Sequence, residues 1–536
     1  MKASRLAAAC LTLSVLSAAA WGTAYTLGPN DDWYSVLNGD GLSPGDEVVL
    51  SAGTYFTPAD RMLTFGHMGT AEAPIVIRAA DGADVTFTRG SRGSITDYWY
   101  LQHNVINILG ARHLTLRGLE VTGGNWGIRI GSRRTELLDP TSTKLWDAQF
   151  VTIEYCHVHH TQNTAISANF PGDVNEGMVF RGNEVSHTGG HGEGFYLGGN
   201  YGDSIFHGGL IENNYIHDLL DDHNGVVDYQ GDGIEIKDHS YDNIVRNNVI
   251  HDTHYPGVLV YGAGGGGSNI IEGNVIWNTR ESGIQAAADA IIRNNIIYSC
   301  AIDAIRSQPH QSADVGNLFI YHNTLISDGA GRAIRVRPAK DGLIDGPVVI
   351  ANNAVYRPAG DAILVEADSV SVLTNVASAD LAADFADVAG LDFFPAPGST
   401  LIGAADTRWT VELDYNGTAR AGTADAGAYV YDPAGNPGRG IGPWLKAPPW
   451  HVGDANGDGV VGIADLSALA DHYGQDWASW SQGDFSGDRV VGIADLAALA
   501  DNYGWTATGG TVPEPGMIGL LAVGAGAVVR RRRRGP

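Results

Sequence analysis

The stretch "GDGIEIKDHSYDNIVRNNVIHDTHYPGVLVYG", residues 231–262, contains two short strands of alternating apolar residues on either side of an Asn-containing turn. Both elements recur along the chain. The turn, an Asn followed by an apolar pair, recurs in steps of 31, 34, 26, 21, 28 and 30 residues at Asn183, Asn214, Asn248, Asn274, Asn295, Asn323 and Asn353. The strand, which opens on a small residue, recurs as "GIRIG", "AISAN", "GFYLG", "GIEIK", "GVLVY", "GIQAA", "AIRSQ", "AIRVR" and "AILVE".

Units of this length, with two or three short strands and an Asn at a bend, predict the coils of a right-handed parallel β-helix. A β-propeller would need about four strands in 40 or more residues, and these units are too short. The predicted fold class is therefore all-β, a right-handed parallel β-helix, followed by a small α-helical module near the C terminus.

Outward side chains of the recurring strand should form columns, because residues alternate between faces and the apolar positions must point inward. Equivalent residues on successive coils should lie about 4.8 Å apart. The main outward column is predicted to contain Arg129, Ser167, Tyr196, Glu235, Leu259, Gln285, Arg306, Arg335 and Leu364.

Composition limits the choice of partners and of covalent bonds. The 536 residues are 44% hydrophobic and carry a formal charge of −27, so a core is expected and nucleic acid is not. Cys156 and Cys300 are several coils apart in the predicted solenoid, too far for a disulfide, and both are expected to be buried thiols.

Both ends of the predicted solenoid resemble known secreted β-helices. The segments "PGDEVVLSAGTY" and "GTAEAPIVIRA" resemble the N-terminal coil of the chondroitinase B and alginate lyase type, and residues 390–432 resemble a closing segment. The resemblance implies a β-helix over residues 25–432. The Pro- and Gly-rich residues 433–449 then indicate a linker.

The termini indicate export. Residues 1–24 combine basic residues, an apolar run and small residues, which predicts a secretory signal peptide. Residues 511–536 contain a Pro-Glu-Pro motif, a short apolar run and five arginines; they resemble the PEP-CTERM sorting tail, which implies envelope sorting by an exosortase. A simple tail anchor is the alternative.

Residues 450–506 contain two loops, "DANGDGVVGIAD" and "DFSGDRVVGIAD", each followed by a helical stretch. Their spacing matches the oxygen ligands of a Ca²⁺ loop: Asp454, Asn456, Asp458, Val460 and Asp465, then Asp484, Ser486, Asp488, Val490 and Asp495. The pair resembles type I dockerin repeats, although Arg489 replaces the turn glycine in the second loop. A dockerin implies a cohesin partner; a calcium-stiffened spacer is the alternative.

Acidic residues converge on two coils of the predicted groove. Glu193 and Asp232 precede neighbouring strands, and Asp221 and Asp222 lie in an adjacent insertion. Close carboxylates repel unless they are protonated or share a cation. We therefore predict a Ca²⁺ site at Glu193, Asp232 and one of the aspartates of the insertion.

The predicted reaction is β-elimination on a uronate-containing polysaccharide. Lys237, beside Glu235, is the predicted general base. The predicted general acid is Tyr261, Tyr196 or His191. Arg306, Arg335 and Arg129 would bind the anionic chain. Residues 231–262 resemble β-helical alginate and chondroitin lyases, whose lysine falls on Lys237. Their arginine has no counterpart here, which shifts the resemblance toward β-helical pectate lyases that combine Lys with calcium.

The sequence leaves three alternatives open. Glu235 and Lys237 could be a solvated ion pair. Glu193, Asp232 and Glu235 could instead be the acid and base of a glycoside hydrolase, or the groove could bind glycans without catalysis. His159, His160, His217 and His251 recur at one bend and are interpreted as ladder residues rather than ligands.

Overall fold

The computed structural model describes residues 22–80, 82–89, 103–136, 139, 142–219, 230–339, 342–420, 422, 424–434, 436, 441–442, 452–455, 460–475, 482–485 and 490–506. Several predicted features lie outside these ranges: the signal peptide up to residue 21, Asp221, Asp222, Asn456, Asp458, Ser486, Asp488, most of the linker and the sorting tail.

Three parallel sheets of 13, 12 and 11 strands form the solenoid. The first sheet contains Ala24–Leu27, Glu47–Leu50, Ile75–Ala79, Leu114–Arg117, Thr152–Glu154, Val179–Arg181, Leu210–Glu212, Ile244–Arg246, Asn269–Glu272, Ala288–Arg293, Gly316–Tyr321, Val348–Ala351 and Val370–Leu373. The second sheet contains Gly53–Phe56, Val85–Arg89, Glu120–Gly123, His157–His159, Glu184–Ser186, Tyr215–His217, Val249–His251, Val275–Trp277, Ile296–Tyr298, Thr324–Ile326, Ala354–Tyr356 and Val376–Ser378.

The third sheet, called the groove sheet below, contains Thr64–Phe65, Ile106–Leu109, Ile128–Gly131, Ile166–Ala168, Phe195–Leu197, Ile234–Ile236, Val258–Val260, Ile284–Ala286, Ile305–Ser307, Ile334–Val336 and Ile363–Val365. Each coil supplies one strand to each sheet in turn, and neighbouring coils pair in parallel. The predicted right-handed parallel β-helix is confirmed.

Smaller elements lie between and beyond the coils. Three two-stranded ribbons pair Arg133–Arg134 with Lys144–Trp146, Val174–Glu176 with Ile205–His207, and Phe385–Asp387 with Asp392–Pro395. The α-helices are Trp33–Leu37, Leu381–Asp384, Ile463–His472 and Ile493–Asn502, and the 3₁₀ helices are Asn200–Gly202 and Thr407–Trp409. Among the described residues, no helix has the length and apolar character needed to cross a membrane.

The repeated Asn forms a buried ladder that sets the bend between the first and second sheets. Asn274 is typical: its Nδ2 donates to Asn295 Oδ1 at 2.9 Å and to a backbone carbonyl at 3.0 Å. Its Oδ1 accepts from the backbone N and Nδ2 of Asn248, both at 2.9 Å. Because buried polar groups must be paired, the side chain satisfies the backbone of the bend, and the ladder continues to Asn375.

Apolar side chains fill the interior between the three sheets in stacked rows, including the fully buried Ile216, Ile250, Ile276 and Ile297. Cys156 and Cys300 are buried free thiols, as predicted. A separate cluster that includes Phe385, Phe393 and Tyr429 packs on Tyr298 and Ile326 of the second sheet. The described residues of this cluster between Phe385 and Ile441 therefore cover part of that face.

Candidate functional site

The groove sheet brings the predicted outward column together. Strand pairing places Arg129 opposite Ser167, Tyr196 opposite Glu235, and Glu235 opposite Leu259. The same register continues through Gln285, Arg306, Arg335 and Leu364. The predicted column is confirmed, because a parallel ladder without shifts keeps equivalent side chains on one face.

Glu235, Lys237 and Tyr261 form a closed hydrogen-bonded triangle. Lys237 Nζ donates to Glu235 Oε1 and to Tyr261 Oη, both at 2.9 Å, and Tyr261 Oη donates to the same Glu235 oxygen at 2.9 Å. All three residues are 3% or 4% exposed. A solvated surface pair is thereby excluded, since Glu235 and Lys237 are both buried and share a third partner.

Glu193 and Asp232 extend this cluster on the side where the strands begin. One carboxylate oxygen each from Glu193, Asp232 and Glu235 lie within 4.8 Å of one another. All three side chains are buried, and each has one oxygen without a hydrogen-bond partner among the described residues. Thr164 Oγ1 donates to the other Glu193 oxygen at 2.5 Å.

Crowding of buried carboxylates raises their proton affinity. Burial, together with the charge of Glu235, raises the pKa of Glu193 to about 7. Burial also raises the pKa of Asp232 well above its ordinary value, with the charges of Glu235 and Glu193 acting in the same direction. At neutral pH the cluster therefore favours a proton or a cation among its oxygens.

The chemistry of these residues suits a Ca²⁺ ion. Calcium takes about six to eight hard oxygen ligands, and the cluster supplies three neighbouring carboxylates, each with one oxygen without a hydrogen-bond partner among the described residues. Asp221 and Asp222, the other predicted ligands, lie outside the described residues. In the C-terminal loops, the carboxylate of Asp465 accepts from Ala455 N at 2.8 Å and from Gly462 N at 2.7 Å.

The tyrosines and His191 surround the triangle. Lys237 Nζ lies 5.0 Å from the ring centre of Tyr196 and 4.4 Å from that of Tyr261. Burial, followed by the charge of Glu235, raises the pKa of both phenols above the ordinary value, so both keep their protons at neutral pH. His191 is half-buried and close enough to Glu193 for its charge to lower the pKa of that carboxyl.

His310 also belongs to the cluster, although it was not among the residues predicted from the sequence. Its Nε2 lies 3.1 Å from Tyr261 Oη, and burial, followed by the charge of Lys237, lowers its pKa. It sits in a turn closed by paired backbone hydrogen bonds between His310 and Ala313. Gln311 and Ser312 anchor this turn: Gln311 binds Asn200 at 2.6 Å and Ser312 hydrogen-bonds Asp238. The repeat spacing in the sequence does not predict this contact, because His310 reaches back across the coils to Tyr261.

The three predicted arginines differ in their surroundings. Arg306 pairs with Glu281 at 3.2 Å, and Arg335 with the buried Asp303 at 3.0 Å. Both remain partly exposed on the groove sheet. Arg129 is fully buried, its guanidinium 3.7 Å from the ring centre of Trp126 and 4.3 Å from that of Phe170. It therefore does not reach the groove surface in this structure.

Comparisons with known proteins agree with the architecture. The family described as a right handed beta helix region matches residues 104–338. The PEP-CTERM protein-sorting motif matches residues 511–534, which indicates an exported, cell-envelope-associated protein. No curated protein matches the sequence.

Solved structures with similar architecture include a pectate lyase, Pel9A, with 15% identity, a TM-score of 0.48 and coverage of 77% of this chain and 97% of that one. An alginate lyase from Paenibacillus sp. str. FPU-7 has 18% identity, a TM-score of 0.42 and coverage of 65% and 99%. The structure of XylC with xylose has 11% identity, a TM-score of 0.46 and coverage of 76% and 98%. At these sequence identities and TM-scores the neighbours do not indicate the reaction, which must be inferred from this chain's own residues.

Proposed function

We propose that the chain is an exported polysaccharide lyase that cleaves a uronate-containing polysaccharide by β-elimination in the groove. The observation that carries this proposal is the buried triangle of Glu235, Lys237 and Tyr261, which joins a candidate base to a candidate acid. Elimination requires one group that removes a proton next to a carboxylate and another that protonates the departing oxygen.

In the proposed reaction, Lys237 acts as a neutral amine: two of its N–H bonds point to Glu235 and Tyr261, and its lone pair takes the proton from the carbon that bears the sugar carboxylate. The electron pair forms a carbon–carbon double bond, the glycosidic C–O bond breaks, and Tyr261 Oη protonates the departing oxygen. Lys237 then returns its proton to the Tyr261 phenolate across their 2.9 Å hydrogen bond. Glu235 stabilises the transient ammonium, and both groups are regenerated. Tyr196 and His191 are the alternative proton donors.

Glu193, Asp232 and Glu235 are proposed to hold Ca²⁺, with Asp221 or Asp222 contributing from outside the described residues. The ion would neutralise the sugar carboxylate and so make the neighbouring proton more acidic. Their oxygens without hydrogen-bond partners among the described residues support this assignment.

Arg306 and Arg335 are proposed to bind sugar carboxylates on the coils that follow. A guanidinium has five N–H donors, so one carboxylate partner leaves donors for the substrate. The polysaccharide would then run along the groove sheet, across the stacked strands.

The C-terminal pair of loops is proposed to be a dockerin-like calcium module, with a cohesin as its partner or with a spacer role. The helices Ile463–His472 and Ile493–Asn502 support this reading, since each follows one predicted loop. The sorting tail would be processed by an exosortase. Substituting Asp454 and Asp484 with Ala should remove calcium binding from this module without changing groove activity.

A glycoside hydrolase is the second candidate, favoured by the raised pKa of Glu193 and Asp232. Inverting hydrolases separate their carboxyl groups by about 6.5 to 9.5 Å to admit water. One carboxylate oxygen from each of the three residues here lies within 4.8 Å of the others, which is closer to the spacing of about 5 to 5.5 Å in retaining hydrolases. A groove that binds glycans without catalysis is the third candidate.

The test is incubation of the secreted protein with a panel of anionic and neutral polysaccharides, with calcium or with chelator. We expect ultraviolet absorbance from an unsaturated uronate, loss with chelator, and a loss of about 10²- to 10⁴-fold in Lys237→Ala. Lys144→Ala is the control, because Lys144 pairs with Asp147 and belongs to a two-stranded ribbon rather than to the groove sheet. Full activity in Lys237→Ala would refute the assignment; reducing ends without the absorbance would identify hydrolysis.

A further inference from the structure

A second cluster of metal-binding side chains lies on the second sheet, outside the groove. His157 and His159 alternate along one strand, and the neighbouring strand places Glu120 directly opposite His157. Residues two apart on a strand project from the same face. The "HVH" sequence and the paired Glu therefore present two imidazoles and one carboxylate together.

The distances within this cluster are short. One ligand atom each from Glu120, His157 and His159 lie within 4.8 Å of one another. His159 Nε2 is 2.9 Å from Glu120 Oε1, and the rings of His157 and His159 stack with their centres 4.0 Å apart. All three residues are half-buried, so the cluster is held by the sheet yet open to solvent.

Neighbouring side chains orient these groups. Thr86 Oγ1 hydrogen-bonds the second carboxylate oxygen of Glu120. His159 Nδ1 lies 2.7 Å from His160 Nδ1 and 3.4 Å from Thr122 Oγ1. When Nδ1 of His159 carries the proton, it can donate a hydrogen bond to His160 Nδ1, and Nε2 of His159 presents its lone pair toward Glu120. Partners of this kind fix the ring orientation of ligating histidines in metal sites.

We propose that Glu120, His157 and His159 bind a divalent transition-metal ion of the zinc class. Imidazole suits zinc, copper and nickel, whereas calcium takes oxygen ligands, so this site and the groove cluster select different ions. Three protein ligands leave a coordination position for water. The ion would connect two neighbouring strands, and the proposal stands apart from the lyase assignment.

Other histidines on this face have different surroundings. His217 contacts Glu184 and Asp218, at 3.0 and 2.7 Å. His251 stacks on Trp277, with ring centres 4.3 Å apart. Among the described residues, Glu120, His157 and His159 are the one group containing histidine whose ligand atoms all come this close. His251 therefore serves as a matched control.

The experiment uses the full secreted chain, titrated with Zn²⁺ by calorimetry and with Co²⁺ by visible absorption, in excess calcium to occupy the oxygen sites. We expect one equivalent of each metal to bind, with a four- or five-coordinate Co²⁺ spectrum. His157→Gln and His159→Gln should each weaken metal binding by at least roughly 10- to 100-fold, because the loss of a residue that only hydrogen-bonds to a metal ligand already has an effect of that size.

Glu120→Gln keeps the shape of the side chain and should also weaken metal binding. This variant tests the site even if the histidine variants misfold. His251→Gln should bind both metals as the parent does. The proposal is overturned if the parent binds no equivalent of either metal, or if His251→Gln loses affinity as much as the variants of the cluster. Changes in thermal stability without any change in metal affinity would show that the histidines only stack.

Discussion

Replacing Glu193 with Gln should stabilise the protein at high pH while abolishing its activity. Glu193 is 1% exposed, and burial, reinforced by the charge of Glu235, raises its pKa to about 7 from an ordinary 4.5. When the pKa of a carboxyl is higher in the folded than in the unfolded protein, the group does not destabilise the fold at a pH below both values, where it is protonated in both states. It destabilises the fold fully at a pH above both values, where it is charged in both states. Stability should therefore fall as pH rises from about 4.5 to about 7.

The magnitude follows from the shift. Each pKa unit corresponds to about 1.4 kcal/mol, so a shift from 4.5 to about 7 amounts to about 3 kcal/mol. Gln removes this cost: its carbonyl can still accept from Thr164, and its amide can donate to the neighbouring carboxylates. We expect Glu193→Gln to unfold with a free energy about 3 kcal/mol higher than the parent at pH 8, and nearly equal at pH 4.

The assay is urea unfolding at both pH values in the presence of chelator. Added calcium should reduce the difference at pH 8, because a cation compensates the parent's charges. Glu212→Gln is the matched control: Glu212 is buried between Arg181 and Arg246, at 2.5 and 2.8 Å, so its loss should destabilise at pH 8. A Glu193→Gln variant less stable than the parent at pH 8, or shifted equally at both pH values, would refute the reasoning.

Three other outcomes are expected. Asn274→Ala should lower the free energy of unfolding by at least about 3 kcal/mol, since it leaves several buried groups unpaired; the half-buried Asn375→Ala should cost less in the same unfolding assay. Burial raises the pKa of Cys156 and Cys300 to about 12, so Ellman's reagent should react with neither until denaturant is added. His310→Gln should lower kcat up to about tenfold with KM unchanged, because it alters one hydrogen bond to Tyr261.

Local patterns in the sequence were sufficient to predict the solenoid. A coil of the solenoid must pair the polar backbone groups at its bend and must bury a row of apolar side chains. The Asn repeat indicates the first, and the alternating strand repeat indicates the second. The outward column from Arg129 to Leu364 followed from the same alternation, because parallel strands stack without a shift in register. The adjacency of Glu193, Asp232 and Glu235 followed for the same reason.

Contacts between distant coils were decided by the tertiary structure alone. His310 reaches Tyr261 across 49 residues through a turn whose path no periodicity encodes. Arg129 occupies the predicted column, yet Trp126 and Phe170 enclose it, because the space above a strand depends on the loops beside it. Periodicity thus determined which residues share a face, and the packing of irregular loops determined which of them are buried, paired or open to a ligand.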